Sequence, residues 1–433
     1  MAEQRTIAFF PEPGAWGPTN NLVAMANHLK ERGHRCVFVT DVSFEGVLEG
    51  KGFEERIMRM APAAETAAEG EDPWSEFIRV TAPEFRKPTV EQISTVTFPI
   101  WEALIAGAIY SHDRVMEIWD ELHPDVVVSD NVTGYAAVEM AGVPWIRMIS
   151  ANPLEIRDPD LPPPLSGYPL EDRGEWDSFR AEFLRVHGDL LSQHNDFRRS
   201  HGVAACEEAE FNTHSPWLNM YLFPEVVDYP RRHPLPANFH RLDTTVRTGE
   251  RPFDVDEHVP GDGKIVYLSL GSLGCMDIGL MQRLIDALGE TPHRVIVSMG
   301  PLHEQLRLGE RMYGEEFLPQ PSILPQCDLL ITHGGNNTTC EGLNFGLPMI
   351  GLPLFWDQYD NAQRLQETGF GVRLPTYDWT EDELIDAADR LLADDDLRAR
   401  MRANAAEIQA SPGRLKGADL IERVLLTGEP AER

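Results

Sequence analysis

Residues 317–362 read FLPQPSILPQCDLLITHGGNNTTCEGLNFGLPMIGLPLFWDQYDNA. The apolar run DLLIT, residues 328–332, has the length of a buried strand and stops at His333. Gly334 and Gly335 permit a tight turn into a helix that begins near Asn336 or Asn337. Gly346 closes that helix, Pro348 bars its resumption, and PMIGL starts the next strand. The segment is thus a strand-turn-helix-strand unit of a parallel sheet. Free amides at the helix start, with the Thr338 and Thr339 hydroxyls beside them, form an anion site at the strand's carboxyl end, and a diphosphate fits there. Taken alone, the same Asn and Thr residues also read as ordinary helix caps. Glu341, on the first helical turn, can accept hydrogen bonds from ribose hydroxyls, and Asp357 and Gln358, after PMIGLPL, suit adjacent sugar hydroxyls.

Outward from this unit, the alternation of strand and helix extends in both directions. It starts at Lys264 with the strand KIVYLSL, the loop GSLGCMD, a helix over 278–288 and the strand HRVIVSM. A Thr380/Glu383 capping box opens a later helix, and a last amphipathic helix covers about 415–426. The nine acids and one Arg between 376 and 396 read as a solvated helical face. The first half repeats the theme: strand TIAFF, turn PEPGAWGPTNN, helix, Gly33, strand RCVFVT, a helical stretch over 89–122, strand DVVVS, a helix over 133–141 and strand VPWIRMI. The proline-dense segment 152–174 cannot be regular and either is disordered or covers a site. Residues 242–263 shift toward Gly, Pro, Thr and Asp. The expected fold is α/β, with two doubly wound Rossmann-like domains facing a cleft: 1–241, a linker at 242–263, 264–414, and a helix and tail at 415–433.

The chain has 433 residues, 38 Lys+Arg against 70 Asp+Glu, and a net charge of −32, which disfavours non-specific attraction to nucleic acid or anionic lipid. An anionic ligand must be held by local devices. Five scattered cysteines with no Cys-x-x-Cys pair argue against a disulfide framework or a zinc site, so no metal is expected. The run TIAFF before Pro11 is too short for a signal-peptide core, and no stretch reads as a membrane span. A soluble, cytoplasmic protein is the expectation.

The 317–362 segment is similar to the signature of the UDP-dependent glycosyltransferases, the family containing plant secondary-product and bacterial antibiotic glycosyltransferases. The opening FLPQ, the core HGGNNTTCE and the end DQYDNA carry the resemblance, with LSLGS at 268–272 and LKERGH at 29–34 in support. The resemblance implies a GT-B fold and a metal-independent, inverting transfer of a hexose from a UDP-sugar to a hydroxyl of a small, aromatic or polyketide-like acceptor. No prosthetic group is implied. The acceptor would bind in 1–241 and the nucleotide-sugar in 264–414. Phe317 then takes the place of the Trp that stacks on the base, and Gln320 matches the Gln beside it. Ser272, His333, Gly335, Asn337 and Thr338 match the diphosphate loop, Glu341 the ribose contact, and Asp357 and Gln358 the sugar contacts. Asn336 replaces a Trp near the sugar, and Glu341 favours UDP over dTDP.

One departure concerns the chemistry. The family's first strand is followed by Gly-His-x-Asn-Pro, whose His is the general base; here GPTNN at 17–21 aligns with it and Pro18 occupies the base position. Proline has no titratable group. Asp130, which matches the family's second catalytic residue, either takes the proton itself or is only a helix cap; His112 on the preceding helix is the other candidate. Trp101, Met116 and Trp119 either wall an acceptor pocket or pack in the core. Two further readings are a non-catalytic nucleotide-sugar-binding auxiliary protein and another GT-B chemistry, such as UDP-dependent glycosyl cleavage or epimerisation.

Overall fold

The computed structural model describes residues 4–62 and 80–433. The first sheet contains β1 (Thr6–Pro11), β2 (Arg35–Asp41), β3 (Glu54–Met58), β4 (Val126–Asp130), β5 (Trp145–Ile149), β6 (Leu218–Tyr221) and β7 (Phe239–Arg241), in the order β3-β2-β1-β4-β5-β6-β7. The second contains β8 (Ile265–Ser269), β9 (Arg294–Ser298), β10 (Met312–Glu315), β11 (Leu329–Thr332), β12 (Met349–Gly351) and β13 (Gly371–Arg373), ordered β10-β9-β8-β11-β12-β13. Every pairing is parallel. Such strands are covered on both faces, which is why TIAFF, DVVVS and DLLIT are unbroken apolar runs.

Each sheet reverses its winding at one point, between β1 and β4 and between β8 and β11. There Pro11 pairs with Asp130 and Thr332 with Ser269, so the residues that follow, Glu12 and His333, stand in the crevice outside the strand ends. This position makes both residues prominent.

The helices follow the apolar periodicity with local exceptions. The expected 89–122 stretch is helical throughout most of its length, but it passes through a π-turn at Ile93–Thr97 and breaks at Ser111 between the helices Phe98–Tyr110 and His112–Leu122. Residues Thr89–Tyr110 are long and apolar enough to cross a membrane, contrary to the expectation from sequence. Here Ile93, Val96, Ile100, Trp101, Leu104 and Ile105 pack in the main apolar core. The helix expected at 133–141 shrinks to Ala136–Glu139. Gly134 instead donates its N–H to the Phe211 carbonyl at 2.7 Å and leaves no room for a Cβ, which would lie 2.8 Å from the Arg198 guanidinium. The Thr380/Glu383 capping box forms with both of its hydrogen bonds.

The proline-dense segment 152–174 is ordered and crosses to the second sheet's side. Leu165 and Gly167 donate their amides to Asp360 at 2.6 and 2.8 Å, and Gly167, at φ 61°, leaves only 2.7 Å between a notional Cβ and the Tyr359 side chain. The final helix, Gly413–Thr427, returns to the first sheet's side, where it packs on the helix Trp16–Glu31. Arg32 pairs with Asp419 and Glu422, and the Ala431 amide reaches the Trp217 carbonyl at 2.9 Å. At the start of this helix a Cβ on Gly413 would lie 2.4 Å from the Thr244 carbonyl oxygen, a backbone atom that cannot step aside. Gly413→Ala is therefore expected to destabilise the protein by ~1–3 kcal/mol, the usual cost of overpacking. Thermal unfolding checks this, and an unchanged melting temperature would show that the returning helix is not held at that distance.

Candidate active site

A cleft of about 690 Å³ lies between the two strand-end crevices, within the range of small-ligand sites. Its second-sheet wall is built by the loops after β8, β10 and β11. His333 is the centre of this wall: its imidazole is wedged between Gly271 and Gly335, where a Cβ would approach the ring to 2.6 and 2.4 Å respectively. Burial holds the His333 pKa down at about 4, so at neutral pH the ring is an uncharged hydrogen-bonding group. The helix Asn336–Asn344 begins directly after Gly335 and points its first-turn amides toward the cleft side of β11. Gln320 donates to Glu341 at 2.5 Å, and Arg247 stands 3.7 Å from the other Glu341 oxygen. Arg247 and Glu250, a bonded pair from the segment between the sheets, were not singled out in the sequence; the polar, Pro-rich context of that segment concealed them. Phe317 is 59% exposed at the rim, a flat apolar face open to a planar ring.

The opposite wall comes from the first sheet. Glu12, Trp16, Gly17 and Pro18 follow β1; Asp130 ends β4, with Asn131 and Val132 after it; Met148 to Ala151 span the end of β5; and Ile100 and Leu104 come from the helix Phe98–Tyr110. Asp130 accepts from the Ser150 hydroxyl at 2.5 Å and the Ser150 amide at 3.3 Å, and burial raises its pKa to about 7. It caps no helix in this arrangement, since Ala136–Glu139 has Tyr135 at its N-cap. Glu12 is equally buried, with its pKa raised to about 8, chiefly by desolvation. The apolar part of the wall is completed by Phe355 and Trp356 from the loop after β12. Trp356 adopts φ 59°, uncommon for a non-glycine residue, and its ring lies 5.1 Å from Trp101, which in turn stacks on Phe211.

The cleft brings together Asp130, Ser272, Phe317, Gln320, His333, Gly335, Asn337, Thr338, Glu341 and Asp357. Two expected site residues lie elsewhere. His112 is buried outside the cleft, edge-on to Phe197 and 4.2 Å from His201, and burial lowers its pKa. Gln358 turns its carbonyl oxygen onto the Leu354 and Phe355 amides, at 3.0 and 3.3 Å, and so shapes the loop carrying Trp356 and Asp357. Met116 and Trp119 belong to the core, with the Trp119 indole donating to the Ala137 carbonyl, and Trp101 borders the site. Asn337 is occupied across the cleft: it accepts from Asn21 at 2.8 Å and donates to the Gly17 carbonyl at 2.9 Å.

Residues 206–403 match the family model described as UDP-glucoronosyl and UDP-glucosyl transferase. The chain is thus similar to the UDP-glycosyltransferases over that stretch. It is 28% identical to zeaxanthin glucosyltransferase of Pantoea ananas over 72% of this chain and 75% of that one. It is 25% identical to demethyllactenocin mycarosyltransferase of Streptomyces fradiae over 97% of this chain and 86% of the relative. Among solved structures, the glycosyltransferase of kitacinnamycin superposes with a TM-score of 0.70 at 18% identity, covering 98% and 100% of the two chains. Glycosyltransferase VinC in complex with dTDP gives 0.65 at 19% identity over 97% and 99%. These likenesses establish the GT-B fold of the enzyme.

The glycines around His333 give a direct test. Gly271→Ala, at φ 73°, both strains the backbone and pushes on the imidazole. UDP affinity in calorimetric titration is expected to fall about tenfold or more, the scale of a lost hydrogen bond to a charged group. Unchanged affinity would show that the ring does not face the nucleotide.

Proposed function

We propose that this glycosyltransferase moves a hexose from a UDP-sugar to a hydroxyl of a small natural-product-like acceptor, with inversion at the sugar and without a metal ion. The observation carrying the reading is the division of one cleft into two unlike walls. The 264–414 side supplies hydrogen-bond donors and an exposed aromatic ring, and the 1–241 side supplies apolar surface and buried carboxylates. Phe317 would stack on the base, and Gln320, Glu341 and Arg247 would take the ribose. The diphosphate would meet Ser272, His333, Thr338 and the first-turn amides, a set of fixed dipoles suited to the charge that grows on the leaving group. Asp357 would read the sugar; its pKa, raised to about 6 by burial, leaves it mostly ionised at neutral pH, while one oxygen accepts the Asn152 amide at 2.8 Å. The acceptor would lie along Trp16, Ile100, Leu104, Met148 and Trp356, an apolar face matching an aromatic or polyketide-like molecule.

The relatives named above take their names from zeaxanthin and demethyllactenocin, and this supports an apolar acceptor. The dTDP-bound neighbour leaves the nucleotide as the point to test. Glu341→Ala should weaken UDP more than dTDP, because only UDP carries the ribose 2′-hydroxyl that a carboxylate there would hold; equal losses remove the ribose assignment. Asp357→Ala should lower turnover of UDP-sugar while free UDP binds within a few-fold of wild type, since the residue is assigned to the sugar alone. A large drop in UDP affinity would move Asp357 to the nucleotide. Turnover in excess EDTA should equal that with added Mg²⁺, and dependence on the metal would overturn the direct reading of the diphosphate site.

A further inference from the structure

Pro18, which the sequence resemblance aligns with the family's histidine, lines the cleft without a titratable group, so the acceptor hydroxyl still needs somewhere to send its proton. Two carboxylates occupy the first sheet's switch point, and their hydrogen bonds distinguish them. Both oxygens of Asp130 are engaged by Ser150, through its amide and its hydroxyl. Glu12 uses one oxygen, Oε2, to accept the Val132 amide at 2.8 Å. Its other oxygen, Oε1, is buried without a hydrogen-bond partner among the described residues, although the side chain is 8% exposed and lines the cleft. A buried carboxylate oxygen left unpaired is costly, so it marks a place where a donor is expected to arrive. The backbone holds it rigidly: the Glu12 amide donates to the Asp130 carbonyl at 2.8 Å, on the last rung joining β1 to β4.

We infer that Glu12 is the general base, its Oε1 accepting the proton of the acceptor hydroxyl. The acceptor oxygen then forms the new bond to the sugar's anomeric carbon as the bond from that carbon to the diphosphate oxygen breaks, and its electron pair leaves with UDP. Asp130 keeps its Ser150 contacts and acts on Glu12 as a neighbouring negative charge. This assignment rests on the glycosyl-transfer reading above and supplies the group that reading lacks.

The surroundings of Glu12 suit the task. Asp130 at the end of β4, Glu155 after β5 and Asp41 at the end of β2 all add negative charge around it, and Tyr135 faces it from the short helix after β4. Arg147 on β5 is spent on Glu155. Together with burial these groups hold the Glu12 pKa at about 8, so the proton-accepting form grows as pH rises through that value. Transfer should therefore rise with pH up to about 8 and level off above it. Asp130→Asn removes one of the adjacent charges and should move that rise to lower pH.

The decisive experiment compares wild type and Glu12→Gln with UDP-glucose and two acceptors at about pH 8: phenol, un-ionised there, and 4-nitrophenol, largely ionised. Glu12→Gln should lose ~100-fold or more in turnover of phenol, the usual worth of a general base, yet stay within a few-fold of wild type on 4-nitrophenol, which brings no proton to remove. UDP titration confirms that the variant is folded and binds nucleotide, and Glu12→Asp, shorter by one methylene but still a base, should recover part of the loss. Equal loss on both phenols assigns Glu12 a structural role and overturns the inference. So does near-normal turnover of phenol by Glu12→Gln, and both results leave the transferase reading standing. If wild-type enzyme transfers glucose to neither phenol under these conditions, the hydroxyl-acceptor reading falls and the base falls with it.

Discussion

The two halves of this enzyme meet through buried side-chain amides. Asn21 from the first helix donates to Ser150 at 2.6 Å and to Asn337 at 2.8 Å, and accepts from Thr245 at 2.5 Å. Asn336 donates to the Ser150 and Leu222 carbonyls at 2.9 and 2.8 Å, which lie just past β5 and β6. Asn152 bonds Asn361 at 2.8 Å while its own amide serves Asp357. Strand ends leave carbonyls and amides that cannot stay unpaired when two crevices close on each other, and carboxamides, each a donor and an acceptor, satisfy both kinds. The cleft has its shape because these contacts set the distance between its walls. Each is worth only ~1 kcal/mol net, so the walls are registered closely without being fused.

That dependence explains the fate of several expected contacts. The HGGNNTTCE motif places Asn337 at the diphosphate by resemblance, whereas its side chain bridges to Asn21 and Gly17. Asn336, which the resemblance places near the sugar, is a tie between the halves, a mechanical role that the motif alone does not reveal.

Much of the architecture was legible because parallel strands buried on both faces are written as short apolar runs between Gly-rich turns. The second half was clearest: DLLIT, the two glycines and the helix after them coincide with β11 and the helix Asn336–Asn344. Less legible were elements whose existence depends on distant neighbours. The helix Trp176–Ser200 buries Phe179, Phe183 and His187 along one side of an otherwise charged sequence. Gln358 looked like a sugar ligand because spacing places a residue on a helix without saying which way its amide turns. His112 looked available because a helical histidine reads the same whether it faces a cleft or His201. Glu12 carries a weaker signal, an acid just after the apolar run that ends at the switch point, because its burial depends on distant Val132, whose amide it accepts.

The returning helix Gly413–Thr427 has a consequence for biogenesis. It covers the helix Trp16–Glu31, placing Met25 beside Gly417, yet the two are separated by almost the whole chain. At ~5–20 residues per second, the ribosome needs roughly 20 to 80 seconds between making the one and making the other. During that interval the first sheet can assemble from β1 to β7, but one of its helices keeps an uncovered flank. The nascent first half is thus a natural client for chaperones, and it completes its fold only after the second half has been made.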